Sequence, residues 1–232
     1  MIYFDRISKK FESTEKPILD NLNFSVKEGE FVSIVGPSGA GKTTILRLIL
    51  GDEYPTAGDV FFRSVNVHNL KDVDLPKYRR QIGTVFQDFK LFEDKTVYEN
   101  LALIMELDGY DKDEIEEAIT ETLSIVGLEG YEDRFPSQLS GGEKQRIAFA
   151  RAIVHNPHMV IADEPTAWLD DDNAQNILDV LKRINDAGVT VIMTTHKKHL
   201  VDGMKSKHGR ILFLEDGQIS GDGTEIKKKK AK

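Results

Sequence analysis

The sequence predicts an α/β fold in which buried parallel strands deliver chemically active residues at their carboxyl ends. Two observations predict it. The runs Phe31–Val35, Met159–Ala162 and Val189–Thr194 are continuously apolar or β-branched, the pattern of strands covered on both faces. Each run is followed at once by polar groups: Gly36-Pro37-Ser38, Asp163-Glu164 and Thr195-His196. Ligands of open α/β sheets bind beyond the carboxyl ends of the strands, so the three groups are expected to converge on one edge.

Shorter strands are expected at Ile2–Ile7, Ile18–Val26 and Asp59–Phe62, separated by Gly and Pro. Near the other end, Arg210–Leu214 and Gln218–Ser220 flank Glu215-Asp216-Gly217, and an Asp-Gly pair favours a tight hairpin turn. The middle of the chain reads differently. Within Asp113–Val126, Ile115, Ile119 and Leu123 recur every fourth residue among acidic neighbours, which predicts an amphipathic helix. A second helix is expected from Glu143 to Val154, stopping before Asn156-Pro157, because a residue preceding proline disfavours helical angles. A strand-rich core thus surrounds a helical insert over residues 88–158, with no internal repeat and no Pro- or Ser-rich linker.

Composition sets outer bounds. The 232 residues, 40% hydrophobic and 30% charged, are enough for one large domain or two small lobes. With no cysteine, neither a disulfide framework nor a thiolate metal site is available, which suits a reducing cytosol. The N-terminus lacks a basic segment followed by a long apolar one, so no secretory signal is expected. No run approaches the roughly 18 apolar residues that cross a bilayer, so a membrane role is expected to come through a partner. The formal charge of −8 argues against general nucleic-acid binding, which needs a basic face. One local exception stands: Lys227–Lys230 with Lys232 form a basic tail, readable as a solvated end or as a segment drawn to anionic lipid.

Gly36-Pro37-Ser38-Gly39-Ala40-Gly41-Lys42-Thr43 fits the phosphate-binding loop pattern of Gly, four residues, then Gly-Lys-Ser/Thr. Its glycines let backbone N–H groups curl around phosphate oxygens, and the helix that follows at Thr44–Leu50 adds its positive end. Lys42 is placed to neutralise the β- and γ-phosphates of a nucleotide, and the Thr43 hydroxyl to join a Mg²⁺ shell. At ordinary glycine usage, a chance match in a chain of this length has odds of about one in a hundred. Asp163 is the expected Mg²⁺-side carboxylate. Glu164 points elsewhere, because adjacent residues at a strand end face different ways, and is expected to polarise the attacking water. His196 closes a third strand and is expected to hold the γ-phosphate and that water in line.

A second anion site is expected at Leu139-Ser140-Gly141-Gly142-Glu143, where a serine and two glycines open a helix. With the nucleotide loop and the Asp-Glu strand in this order, the chain resembles the ABC ATPases over nearly its whole length. That resemblance implies a P-loop NTPase core of the RecA type, an N-terminal antiparallel β subdomain and an inserted α-helical subdomain. The implied lobes are residues 1–87 and 159–226 for the core with its β subdomain, 88–158 for the helical part and 227–232 for the tail. It implies ATP and Mg²⁺, bound by residues 36–43 with Thr44, and contacts from Ser140, Gly141 and Gly142 to ATP held by a second copy in a head-to-tail homodimer. Gln87 takes the position of a γ-phosphate sensor that also serves catalysis and the metal. Asp170 takes that of an acidic residue communicating across the dimer.

Phe11 follows Lys9-Lys10 at the position of an adenine-stacking aromatic, where the family usually has Tyr; a core Phe is the other reading. The strings Arg80–Leu91, Thr96-Val97-Tyr98-Glu99-Asn100 and Phe135–Leu139 resemble the bacterial cell-division branch of the family, and partly its lipoprotein-release and macrolide-export branches. The first implies an integral membrane partner at the cytoplasmic face of the plasma membrane. The apolar residues Phe89, Leu91 and Phe92 beside Gln87 would carry movement to that partner, or belong to the core. Trp168 stands where these relatives carry a small or polar residue, either as an interface anchor or as a gap filler. Soluble ABC proteins of DNA repair or translation usually carry coiled-coil insertions or tandem ATPase units, and this chain has neither.

Overall fold

The computed structural model describes residues 1–86, 90–167, 169–202 and 209–222. Gln87, Phe89, Trp168 and the basic tail lie outside the described residues. From the N-terminus come β1 (Ile2–Lys9), β2 (Leu19–Val26), β3 (Phe31–Val35), α1 (Lys42–Leu50), β4 (Ala57–Phe62), β5 (Val65–Asn66) and α2 (Leu75–Arg79). Next are β6 (Ile82–Val85), α3 (Val97–Asp108), α4 (Lys112–Val126), α5 (Gly141–Ile153), β7 (Met159–Ala162) and α6 (Asp171–Asp186). The described chain closes with β8 (Thr190–Thr195), α7 (Lys198–Asp202), β9 (Gly209–Glu215) and β10 (Gln218–Asp222).

Two compact units result: Met1–Arg79 with the chain from Ile192 onward, and Arg80–Val191. The first holds an antiparallel sheet of order β2-β1-β4-β5, whose alternating side chains bury Ile2, Phe4, Phe24, Val60 and Phe62. It also holds strands in the order β10-β9-β3-β8, with β3 and β9 parallel from Phe31 opposite Gly209 to Val35 opposite Phe213. All five residues of β3 are buried, as its unbroken apolar run requires. The β9–β10 turn has Asp216 at φ 49° and Gly217 at φ 74°, the two left-handed residues that a twisted hairpin favours. Helix α1 buries Ile45, Leu46, Leu48, Ile49 and Leu50, each contributing about 1.5–3 kcal/mol relative to exposure. Tyr78 of α2 donates its hydroxyl to the Ile49 carbonyl and meets the Phe62 ring edge-on at 5.3 Å.

In the second unit β6 and β7 pair in parallel, Ile82 opposite Met159 and Val85 opposite Ala162, and Thr190 N–H at the start of β8 donates to His158 O at 3.2 Å. Helix α4 buries Ile115, Ile119, Leu123 and Val126, the stripe its four-residue periodicity predicts. It packs on α3, α5 and α6. Helices α3, α4 and α5 each begin with a capping box: Thr96 with Glu99, Asp111 with Glu114, and Ser140 with Glu143. In each, the cap side chain accepts the backbone N–H three residues on, and the glutamate accepts the cap's own N–H. Helix α5 therefore starts at Gly141, two residues before the start its apolar pattern suggests.

Candidate functional site

In the first unit the glycine-rich loop at residues 36–41 grows out of β3. Gly36 N–H donates to Thr195 O at 3.2 Å, which sets the loop's first residue beside the end of β8 and the exposed His196. A Cβ at Gly36 would lie 2.3 Å from the Leu214 carbonyl oxygen, so only glycine lets the loop pass β9. Gly41 caps α1 at φ 103°, a left-handed angle, and an added Cβ there would meet the Leu19 side chain at 2.7 Å. Among the described residues no side-chain hydrogen bond caps α1, and its first turn holds no acid. The positive end of its dipole is thus offset by no acid of its own first turn, which suits an anion.

Lys42 is 6% exposed, and its ammonium donates to Gly36 O at 2.9 Å and Pro37 O at 3.0 Å. The charge is desolvated yet satisfied by the loop's own carbonyls, so it is held at the mouth of the cradle. Thr43 is exposed and Thr44 buried on the same turn. A polyphosphate fits this arrangement: a glycine-shaped backbone, an uncapped helix start and a buried cation. Phe11 is half-buried, not a core residue, with the Lys9 ammonium 4.8 Å from its ring centroid. Lys9 is itself held by Glu53 at 2.9 Å and the Tyr54 carbonyl at 2.8 Å.

In the second unit Asp163 leaves β7 half-buried, and its N–H donates to Val85 O at 3.1 Å, continuing the β6–β7 ladder by one residue. Glu164 breaks from that ladder at φ 49°. A non-glycine residue there stores strain of about 1–3 kcal/mol, and such residues cluster at functional sites. The backbone thus changes course between the two neighbouring acids. Asp170 is exposed and caps α6, accepting Asn173 N–H at 2.8 Å, with Asp171 and Asp172 in the first turn.

Ser140 sits exposed at the start of α5, before Gly141 and the half-buried Gly142. Its hydroxyl donates to Glu143 Oε2 at 2.7 Å, and its N–H donates to the same oxygen at 2.8 Å. The other oxygen, Oε1, accepts the Tyr131 hydroxyl at 2.7 Å. These bonds, that from Ser140 first, hold the Glu143 carboxyl down at about 2.

Helix α5 also makes ties that no motif announced. Gln145 is buried and donates its amide to the Pro165 carbonyl, one residue beyond Glu164. Arg151, its pKa lowered by burial, donates to Lys90 O at 2.6 Å, and Lys144 pairs with Glu93 at 3.2 Å. A Cβ on Gly83 of β6 would fall 2.0 Å from the Ala152 carbonyl oxygen. Only the glycine within a buried strand hinted at such an approach. Tyr131, Gln145 and Arg151 carry no local signal, because their partners are distant side chains and carbonyls.

Comparison with known proteins defines the class. Residues 19–167 match the ABC transporter family, and the chain belongs to that family; it is an ABC-type ATPase. Among curated relatives, it is 45% identical over 222 residues to the cell division ATP-binding protein FtsE of Mycobacterium tuberculosis, covering 96% of this chain and 95% of that protein. It is also 40% identical over 229 residues to the methionine import ATP-binding protein MetN 1 of Shouchella clausii, covering 97% of this chain and 65% of the relative. Among solved structures, the dimeric post-hydrolysis state of the ATP-binding cassette MJ0796 bound to ADP and Pi superposes with a TM-score of 0.82 at 36% identity, over 96% of this chain and 97% of that one.

Proposed function

We propose that this chain is the ATP-hydrolysing subunit of a membrane complex of bacterial cell division, working as a head-to-tail homodimer. The likeness to FtsE proteins along nearly the full chain supports the division role. The observation that carries the mechanism is the pair of helix N-termini: an uncapped, glycine-built start at α1 and a serine-glycine start at α5. ATP lies against the loop 36–44 of one copy and against Ser140, Gly141 and Gly142 of the other, so its binding favours the closed dimer over the open one.

The chain's groups divide the work. Lys42 and the α1 amides hold the β- and γ-phosphates, and Phe11 offers its ring to the adenine. Glu164 takes the proton of the attacking water, a contribution of about 10²–10⁴-fold in rate. His196 and Gln87 orient that water and the γ-phosphate, and Asp170 carries the state of one site to the other copy. The donors Thr43, Asp163 and Gln87 are all oxygen, which suits Mg²⁺. When bound, Mg²⁺ neutralises charge on the leaving phosphates.

Residues 1–87 and 159–226 act as the nucleotide-binding core and 88–158 as the helical lobe. That lobe passes movement to an integral membrane protein of the FtsX type at the cytoplasmic face of the plasma membrane. Among the described residues no helix is long and apolar enough to cross a membrane, consistent with attachment through that partner. The basic tail at 227–232 would add attraction to anionic lipid. The similarity to MetN 1 favours a second reading, an ATPase subunit of an import, export or lipoprotein-release transporter with the same chemistry.

Glu164→Gln tests both levels. Turnover should be lost while an ATP-bound dimer appears by size-exclusion chromatography, and near-normal turnover would remove Glu164 from its role. Membrane pull-down with the same variant and ATP separates the readings: an FtsX-type protein supports cell division, and a substrate-translocating permease overturns it.

A further inference from the structure

The Ser140 hydroxyl has one proton, and in this structure that proton is committed. It goes to Glu143 Oε2 at 2.7 Å, while the hydroxyl oxygen accepts Glu143 N–H at 3.3 Å. The carboxylate is fixed in turn by Tyr131 at 2.7 Å. Tyr131 is held on a turn with the Arg134 guanidinium 3.7 Å from its ring centroid. That turn is bonded to the start of α3, Val97 N–H to Arg134 O at 2.8 Å and Tyr98 N–H to Glu132 O at 2.9 Å. A γ-phosphate approaching Ser140 therefore meets a hydroxyl turned back on its own helix and a fixed negative charge beside it.

We propose that Glu143, steadied by Tyr131, is a latch that keeps Ser140 from the second copy's ATP and so sets the ATP level at which the dimer closes. Closure breaks one hydrogen bond, Ser140 Oγ–H to Glu143, and re-forms it toward the phosphate. Nothing else need move, because the Ser140 N–H keeps its bond to Glu143 and α5 stays capped. The link to α3 gives the helical lobe a physical route to the latch: a shift of the Tyr131 turn loosens Glu143. Neither residue touches the nucleotide in this scheme, and both are positioning residues. The inference rests on the reading that Ser140 meets ATP held by another copy.

The test measures dimer fraction against ATP concentration by analytical ultracentrifugation, with turnover blocked by Glu164→Gln. Adding Glu143→Gln should lower the ATP concentration at half-dimerisation by about two- to fivefold, the scale of one charge near a helix terminus, and the gain should shrink at high salt. The same change should lower thermal stability, since it weakens the cap of α5. Easier dimerisation together with a lower Tm distinguishes a latch from a purely structural group, whose loss would weaken both. Tyr131→Phe should shift the midpoint in the same direction by less, and serves if Glu143→Gln does not fold.

A midpoint unmoved or raised in Glu143→Gln overturns the latch, and one unmoved in Tyr131→Phe overturns the part given to Tyr131. Ser140→Ala separates the two levels. If it weakens dimerisation while Glu143→Gln leaves the midpoint alone, the latch fails and the reading of Ser140 stands. If it dimerises as readily as its parent, both fail.

Discussion

Helices α1 and α5 both open on small residues and both are expected to face phosphate, yet their N-termini are built in opposite ways. At α1 the cap is Gly41, with no side-chain cap bond among the described residues; the first turn has no acid, and a buried lysine supplies positive charge. At α5 a serine caps, a glutamate closes the box, and Ser140 and Gly141 are exposed. Satisfying its own donors stabilises α5 without any ligand. With a glycine cap and no acid in its first turn, α1 presents an uncompensated positive end that favours an anion. On the proposed reading, the α1 site is a standing receptor and the α5 site exchanges internal hydrogen bonds for external ones. Affinity for nucleotide should therefore reside in the first unit, and the conditional step in the second.

The largest effect that could break this contrast is at Lys42. Lys42→Ala should abolish measurable ATP binding and turnover while leaving the fold intact, checked by fluorescent-nucleotide titration and phosphate release. Retained binding would show that the α1 amides alone suffice. Next comes Gly36→Ala, whose Cβ would press on the Leu214 carbonyl. Overpacking of this kind costs about 1–3 kcal/mol, so Tm should fall by several degrees and ATP affinity with it. Gly142→Ala, where an added Cβ meets nothing within 4 Å, should leave Tm within about a degree, because open space imposes no strain.

The smallest effect sharpens the electrostatic half of the comparison. The Glu143 carboxyl is held at about 2, below its usual 4.5, so it binds fewer protons folded than unfolded over that interval. Its contribution to stability is complete above about 4.5 and fades as pH falls towards about 2. Urea midpoints of the wild type and Glu143→Gln should accordingly differ at pH 6 and draw together on acidification through that window. A gap that stays constant would mean that shape, not charge, makes the cap.

Much of this was legible in the residues. The buried strands β3, β7 and β8 announce themselves as unbroken apolar runs, and structure and sequence agree on β3 and β7 to the residue. The Asp216-Gly217 hairpin and the stripe of α4 are equally local. The capping boxes of α3, α4 and α5 were present as Thr96, Asp111 and Ser140 each followed three residues later by Glu, and reading them would have placed the helix starts. Strand β6 was less visible, being four residues long with a glycine inside it.

The sequence by itself determined the buried strands, the periodic helix and the glycine pattern of the loop at residues 36–43, because each depends on residues close along the chain. Tertiary structure alone decided three things. It set the Lys42 ammonium on the loop's carbonyls, it put Glu164 at a left-handed backbone angle, and it brought Tyr131 onto Glu143. Hydrogen bonds between groups far apart in the chain, and backbone angles imposed by neighbours, have no periodic signature. They appear only once the chain has closed on itself.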